Sequence, residues 1–290
     1  VKYLIKHTTS YNYQENVSLC RNIIHVSPRE NEYQKNFFEK ITISPTPEIL
    51  ECQKDYFGNK VFFFTIEKPH NELRIIAEYE TEVRPKKNEN LPDVPWEKTL
   101  ELMRTDASPE TIYAFEYCFD SFYIQRHADW KEYAFKSFSP ETPYLTAVMD
   151  LTTRIHKDFK YQPNATTIAT PLHDVFMQKS GVCQDFSHFQ IACLRSLGIP
   201  ARYVSGYLLT HQKSDKKNLI GSDASHAWVQ VYYPGFGWFD FDPTNNMKPS
   251  DQHITIGWGR DYDDISPVKG IIMGGENHTI TVGVSVIGAG

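Results

Sequence analysis

Several large classes of protein are excluded by what this sequence lacks. It has no Lys/Arg block long enough to neutralise a row of phosphates, and its net charge is −6, so general nucleic-acid binding is not expected. Lys86-Lys87 is a short charged loop and nothing more. No apolar run approaches the roughly 18 residues of a membrane span, so no membrane partner is expected. The first stretch, VKYLIKHTTSYNY, lacks the apolar segment of a signal peptide. Cysteine is scarce and irregularly spaced: Cys20, Cys52, Cys118, Cys183 and Cys193, five in all, with no Cys-x-x-Cys. That count fits neither a disulfide framework nor a zinc ribbon. A reducing, cytoplasmic compartment is therefore the expectation, which a leader removed ahead of Val1 would overturn. His7, His25, His70, His173 and His188 share no ligand spacing. No acidic loop has the density a calcium site needs. No metal and no cofactor are expected.

What is abundant is aromatic residues, 18 Phe and 17 Tyr among 290, many in alternating runs that favour strands. Residues 1–85 read as an antiparallel β-rich region: VKYLIKHTTSYNY, KNFFEKITISP, NKVFFFTIEKP and ELRIIAEYETEVRP, separated by Pro, Gly and Asn. Tyr56-Phe57-Gly58-Asn59 is the turn of a hairpin. Residues 86–142 form a linker and a helical segment. In it Ser108-Pro109 opens a helix expected to carry Ile112, Phe115 and Phe119 on one face. Residues 143–250 are the core, beginning with a helix striped by Leu145, Val148, Thr152, Ile155 and Phe159. Thr170-Pro171 starts a short helix ending near Gly181. Residues 251–290 are a C-terminal extension with a closing strand. The polar stretch 211–223 reads as a mobile loop. The whole is of the α+β class.

Within the core, GVCQDFSHFQIACLRSLGIP is a helix with Phe186, Phe189, Cys193 and Leu197 on one face. It is closed by Gly198 and Pro200. Cys193 is a core residue; Cys183 lies in the first turn. A cysteine nucleophile needs access, a lowered pKa and a base. Unpaired N–H groups at a helix start favour the thiolate and can donate to an oxyanion. His226 begins the strand HAWVQVYY. The turn Pro234-Gly235-Phe236-Gly237 folds GWFDFDPT back on it, which brings residues 242–245 opposite His226. Asp242 is thus placed to accept from the imidazole. Asp240 has the same parity and is its rival. His188 lies one helical turn and a residue beyond Cys183, off its face.

These stretches resemble the transglutaminase-like superfamily of papain-like thiol enzymes. That family's pattern is a Gly-x-Cys helix, an Arg-x-x-Gly-Ile-Pro-Ala-Arg segment, His-x-Trp, and a Trp followed four residues later by Asp-x-Thr. Cys183, Arg195, Gly198 to Arg202, His226, Trp228, Trp238 and Asp242 to Thr244 occupy those places. The form GVCQDFSH with GRDYDDISPVKG is similar to the bacterial branch described as transglutaminase-like candidate cysteine proteases, which also carry an N-terminal β-rich region. The resemblance implies a papain/transglutaminase-like core, in which the helix-start cysteine packs on an antiparallel sheet carrying His and Asp. It implies a Cys183–His226–Asp242 triad and acyl transfer through a thioester, most simply as a protease or amidase on a peptide or protein substrate. An amine acyl transferase using a primary amine acceptor and a catalytically idle binding module are the alternatives. Gln178, five residues before the cysteine, and Tyr161 are candidates for a second oxyanion donor. Asp261 and Tyr262 of GRDYDDISP are candidates for lining the cleft.

Overall fold

The structure is a computed structural model in which residues 1–85, 91–92, 94–210, 219–221 and 225–289 are described. The Lys86-Lys87 loop and most of the 211–223 loop lie outside the described residues.

Five strands come first: β1 (Lys2–Ile24), β2 (Gln34–Ser44), β3 (Ile49–Lys54), β4 (Lys60–Ile66) and β5 (His70–Val83). Four helices follow, α1 (Trp96–Thr105), α2 (Pro109–Phe115), α3 (Ala128–Phe135) and α4 (Tyr144–Asp158), then the short β6 (Lys160–Tyr161), α5 (Leu172–Gln178) and β7 (Ser180–Gly181). The cysteine helix α6 (Cys183–Ser196) leads into β8 (Ala201–Leu208), β9 (His226–Tyr233), β10 (Gly237–Phe241) and β11 (His253–Gly259). The chain ends with β12 (Val268–Gly274) and β13 (His278–Ala289).

Period-two alternation explains the first sheet. In β1, Tyr3, Ile5, His7 and Thr9 are buried and Lys2, Leu4 and Lys6 are exposed, as a strand with one covered face requires. β1 is the spine of seven strands. Its first half pairs antiparallel with β5 on one side and β13 on the other; its second half pairs with β4 and β12. The register with β5 shifts between Asn12 and Val17. β2 flanks β5, and β3 flanks β4 through the 55–59 turn, where Gly58 takes a φ of +75°. The 251–290 segment is divided: β11 joins the core sheet, while β12 and β13 complete the N-terminal one.

The core sheet has the order β10-β9-β8-β11 and is antiparallel. Every residue of β8 and β9 is buried. One face, with Ala201, Tyr203, Ala227, Val229 and Val231, packs on α6 and the other helices through Phe186, Phe189, Cys193 and Leu194. Elsewhere Tyr207, Ile254 and Ile256 pack into the apolar core of the N-terminal sheet. The four-stranded sheet is therefore covered on both sides. Two sequence signals set its approach to α6. Gly198 adopts a φ of +80° where the helix closes. Arg195 is buried and donates to the carbonyls of Ala201, Phe119 and Arg260 and to Ser121 Oγ.

The expected stripe on the Ser108-Pro109 helix is corrected. Ser108 caps it through Thr111 N–H, but α2 ends at Phe115 and passes into a 3-10 turn over Glu116–Cys118. Ile112 and Phe119 are both 60% exposed, and Thr111 and Ala114 are the buried residues. The i, i+3, i+7 spacing requires an α-helix long enough to hold one face, and this helix stops after seven residues.

Candidate active site

Cys183 is the first residue of α6 and is partly buried. At that position its N–H is one of those a helix leaves without an intrahelical acceptor. The helix start is pinned by Asp185. Its Oδ2 accepts from Val182 N–H at 2.8 Å and from Thr166 Oγ1 at 2.6 Å. Burial raises the Asp185 pKa against the pull of those two bonds. Gly181 is required here, because a Cβ would strike the Asp185 carboxylate.

His226 opens β9 and is 1% exposed. Its Nε2 bonds Asp242 Oδ2 at 2.9 Å. The β9–β10 register, with Phe241 opposite Val229, continues to place residue 244 opposite His226. A short bridge between Asp242 and Met247 turns the chain there. Asp240 has other partners: its Oδ1 accepts from Trp228 Nε1 at 2.8 Å and Gln230 Nε2 at 2.7 Å.

Asp242 is fully buried and satisfied by five donors. Oδ1 accepts from the N–H groups of Thr244 and Asn245; Oδ2 accepts from His226, Asn245 Nδ2 and His253 Nε2. Burial alone would push this carboxyl up, but the charge and hydrogen bonds of His226 and His253 hold it well below the usual carboxylate range. Burial likewise opposes the charged form of His226. The Asp242 carboxylate, followed by the Cys183 thiol, outweighs it and raises the imidazole to about 10. His226 Nδ1 is buried and no partner among the described residues meets full hydrogen-bond geometry with it. The Cys183 side chain is nonetheless near enough to the ring to favour its protonated form. With Nε2 committed to Asp242, Nδ1 is the nitrogen left for the thiol.

The structure thus brings Cys183, His226 and Asp242 together. Tyr262 is partly buried, within electrostatic reach of Cys183, and burial raises its phenol to about 12. Asp261, expected in the cleft, is 1% exposed, with its oxygens accepting from Tyr123 and Asp263 N–H. It caps the 3-10 turn Tyr262–Ile265. Gln178 is exposed at the end of α5, and its amide donates to Ser180 O at 3.3 Å. Tyr161 lies in β6 beside Gly181, with its ring against Phe186. His188 is buried, and its Nε2 accepts from Tyr262 N–H at 3.1 Å. Burial and then Arg195 lower it to about 3. His253 and Asn245 escaped the sequence reading. The one available signal is that His253, like His226, opens a strand after a polar stretch. One ligand atom from each of His226, Asp242 and His253 lies within 4.8 Å of the others. A divalent ion there would have to displace the two N–H protons already bonded to Asp242.

Residues 131–243 match the transglutaminase-like superfamily, and residues 3–82 match the bacterial transglutaminase-like N-terminal region. The chain belongs to the transglutaminase-like superfamily. An uncharacterized member from Mycobacterium tuberculosis is 35% identical over 291 residues, covering 99% of this chain and 92% of that protein. A crystal structure described as a candidate cysteine protease from Cytophaga hutchinsonii shares the fold. Its TM-score is 0.77 at 24% identity, over 98% of this chain and 89% of that one. A protein-glutamine gamma-glutamyltransferase from Pseudomonas aeruginosa is 31% identical over 109 residues, 31% of this chain and 15% of that protein.

Proposed function

We propose that this transglutaminase-like protein is a thiol-dependent acyl-transfer enzyme, acting as a cysteine protease or amidase on a peptide or protein substrate. One observation carries the reading: a helix-start cysteine meets an imidazole whose far nitrogen is bound to a buried, fully satisfied carboxylate. The raised basicity of His226 favours a thiolate–imidazolium pair over two neutral groups. The thiolate attacks the substrate carbonyl, forming the C–S bond and an oxyanion that the Cys183 N–H is placed to stabilise. Collapse breaks the C–N bond as His226 gives its proton to the leaving amine. Water then attacks the thioester, passing a proton to His226; the C–S bond breaks, its electron pair returns to the Cys183 sulfur as thiolate, and the acid departs. Asp242 orients the ring and stays ionised throughout, as its lowered pKa favours.

A primary amine in place of water would complete a transamidation, and the partial likeness to the glutamyltransferase makes that the competing acceptor. The deciding experiment is a peptide-library cleavage assay with and without added primary amine, using Cys183→Ala as the control. Cleavage products with free carboxyl termini are expected. Full activity in Cys183→Ala overturns the reading, and products carrying the amine redirect it to transferase chemistry.

A further inference from the structure

The donors around Asp242 differ in what they can fix. Asn245 Nδ2 and the N–H groups of Thr244 and Asn245 belong to the turn that carries Asp242, so they move with it. His226 reaches it from β9 at 2.9 Å and is the group to be oriented. His253 Nε2 reaches the same Oδ2 at 3.2 Å from the start of β11. β10 and β11 are opposite edges of the core sheet, so the segment joining them crosses its end, and this crossing brings His253 to Asp242. We infer that His253 is a positioning residue that anchors the Asp242 carboxylate independently of His226, so that Oδ2 faces His226 Nε2 while Nδ1 is left for Cys183. The inference rests on the acyl-transfer reading above.

The protons are consistent with this role. A carboxylate only accepts, so both Nε2 atoms carry hydrogen. His253 Nδ1 is buried with no partner among the described residues. His253 thereby supplies its donor from a place beside His226, whose ring centroid is 6.2 Å away. The ring is held edge-on to Trp228 at 5.3 Å, and Trp228 is itself tied to Asp240. Among the described residues, the titratable groups facing His226 are Asp242, Cys183 and His253.

The test compares His253→Asn with His253→Gln in the full chain. The Gln amide nitrogen can occupy the place of the imidazole Nε2; the Asn amide stops short of it. Alkylation of Cys183 by iodoacetamide is followed by mass spectrometry near pH 6 and pH 9, alongside kcat and KM on a peptide that the wild type cleaves. In His253→Asn, kcat and the rate at the lower pH are expected to fall about 10–100-fold, the range seen when outer-shell partners are lost. KM and the rate at the higher pH are expected to hold, with both losses largely restored in His253→Gln. Wild-type values in His253→Asn, or equal losses in the two variants, overturn the inference. A purely structural role would lower the melting temperature and leave the ratio of the two alkylation rates unchanged. Nitrogen-15 NMR of wild-type His253 needs no variant: a proton on Nε2 is expected, and a ring protonated at Nδ1 alone refutes the role. If wild-type Cys183 itself resists alkylation near pH 6, the acyl-transfer reading fails instead.

Discussion

The N-terminal sheet and the core sheet solve burial differently. In the first, one face is dry and the other holds charge freely, as in the exposed pairs Lys2–Glu80 and Lys6–Glu78. In the second, all of β8 and β9 is buried, yet Arg202, His226 and Gln230 lie there. A sheet covered on both sides can keep such groups only in closed hydrogen-bond networks. Arg202 Nε donates to Gln230 Oε1 at 2.8 Å, and Gln230 donates to Asp240. Asp242 takes five donors and His226 completes the chain towards Cys183. Polar residues in the core sheet therefore cost stability unless they are paired, and removing one partner should be far more damaging than removing an outer charge from the N-terminal sheet.

The largest expected effect tests the chemistry itself. Cys183→Ala should lower kcat by at least about 10³-fold, as loss of a nucleophile does in acyl transfer, while shifting the melting temperature little, because the side chain is only partly buried. Iodoacetamide near pH 6 should label Cys183 ahead of the other thiols. Burial raises Cys20 to about 11 and Cys118 to about 12 and pushes Cys193 up further, and exposed Cys52 serves as the accessible control. Equal labelling of Cys52 and Cys183 would break the distinction.

Asp242→Asn should follow, with kcat down by about 10³–10⁴-fold from a misoriented ring. It should also change how stability depends on pH. The pKa of His226 is raised in the folded state, so its contribution is complete below its unfolded value near 6.5 and is lost as pH rises through about 10. Asp242 is lowered, so its contribution is present above the ordinary carboxylate value near 4 and is lost as pH falls towards its folded value. Melting temperatures of wild type and Asp242→Asn should therefore converge as pH rises from about 7 past 10. Buried tyrosines and thiols, common to both proteins, cancel in that difference. Parallel curves would mean that the pair does not set the alkaline limit.

The two sheets also differed in legibility. Alternation in β1 identifies a strand with one wet face because half its residues are polar or charged. The central strands β8 and β9 are buried throughout, so their periodicity is weak, and the motif residues Gly181, Cys183, Gly198, His226 and Asp242 carried the reading instead. Asp242 was favoured over Asp240, its rival of the same parity, because the Asp-Pro-Thr sequence puts its carboxylate at the strand end beside a turn. His253 was not legible, since its approach depends on how the segment after Asp242 crosses the end of the sheet, and no local spacing encodes that path. The stripe on α2 failed for the opposite reason: local spacing was present, but the helix ended before the stripe could form. Asp261 stood in a conspicuous motif, yet its carboxylate is occupied by the Tyr123 and Asp263 amides.

The smallest effects lie on neighbouring residues of β1. Ile5 is 3% exposed and faces the apolar core; Leu4 is 51% exposed beside Ile287, its partner in register on β13. Ile5→Ala should cost about 2–5 kcal/mol, the range for a buried Ile or Leu truncated in a packed core. Leu4→Ser should stay within about 0.5 kcal/mol, as surface changes away from special features do. Neither should change kcat in the fraction that remains folded, because both lie outside the Cys183–His226–Asp242 network. Urea titrations of the two variants measure the contrast directly. A loss of about 2 kcal/mol or more in Leu4→Ser, against the surface expectation, would mean that the outer face is covered in solution. The one-faced description of the N-terminal sheet would then give way to one in which both sheets are buried on both sides.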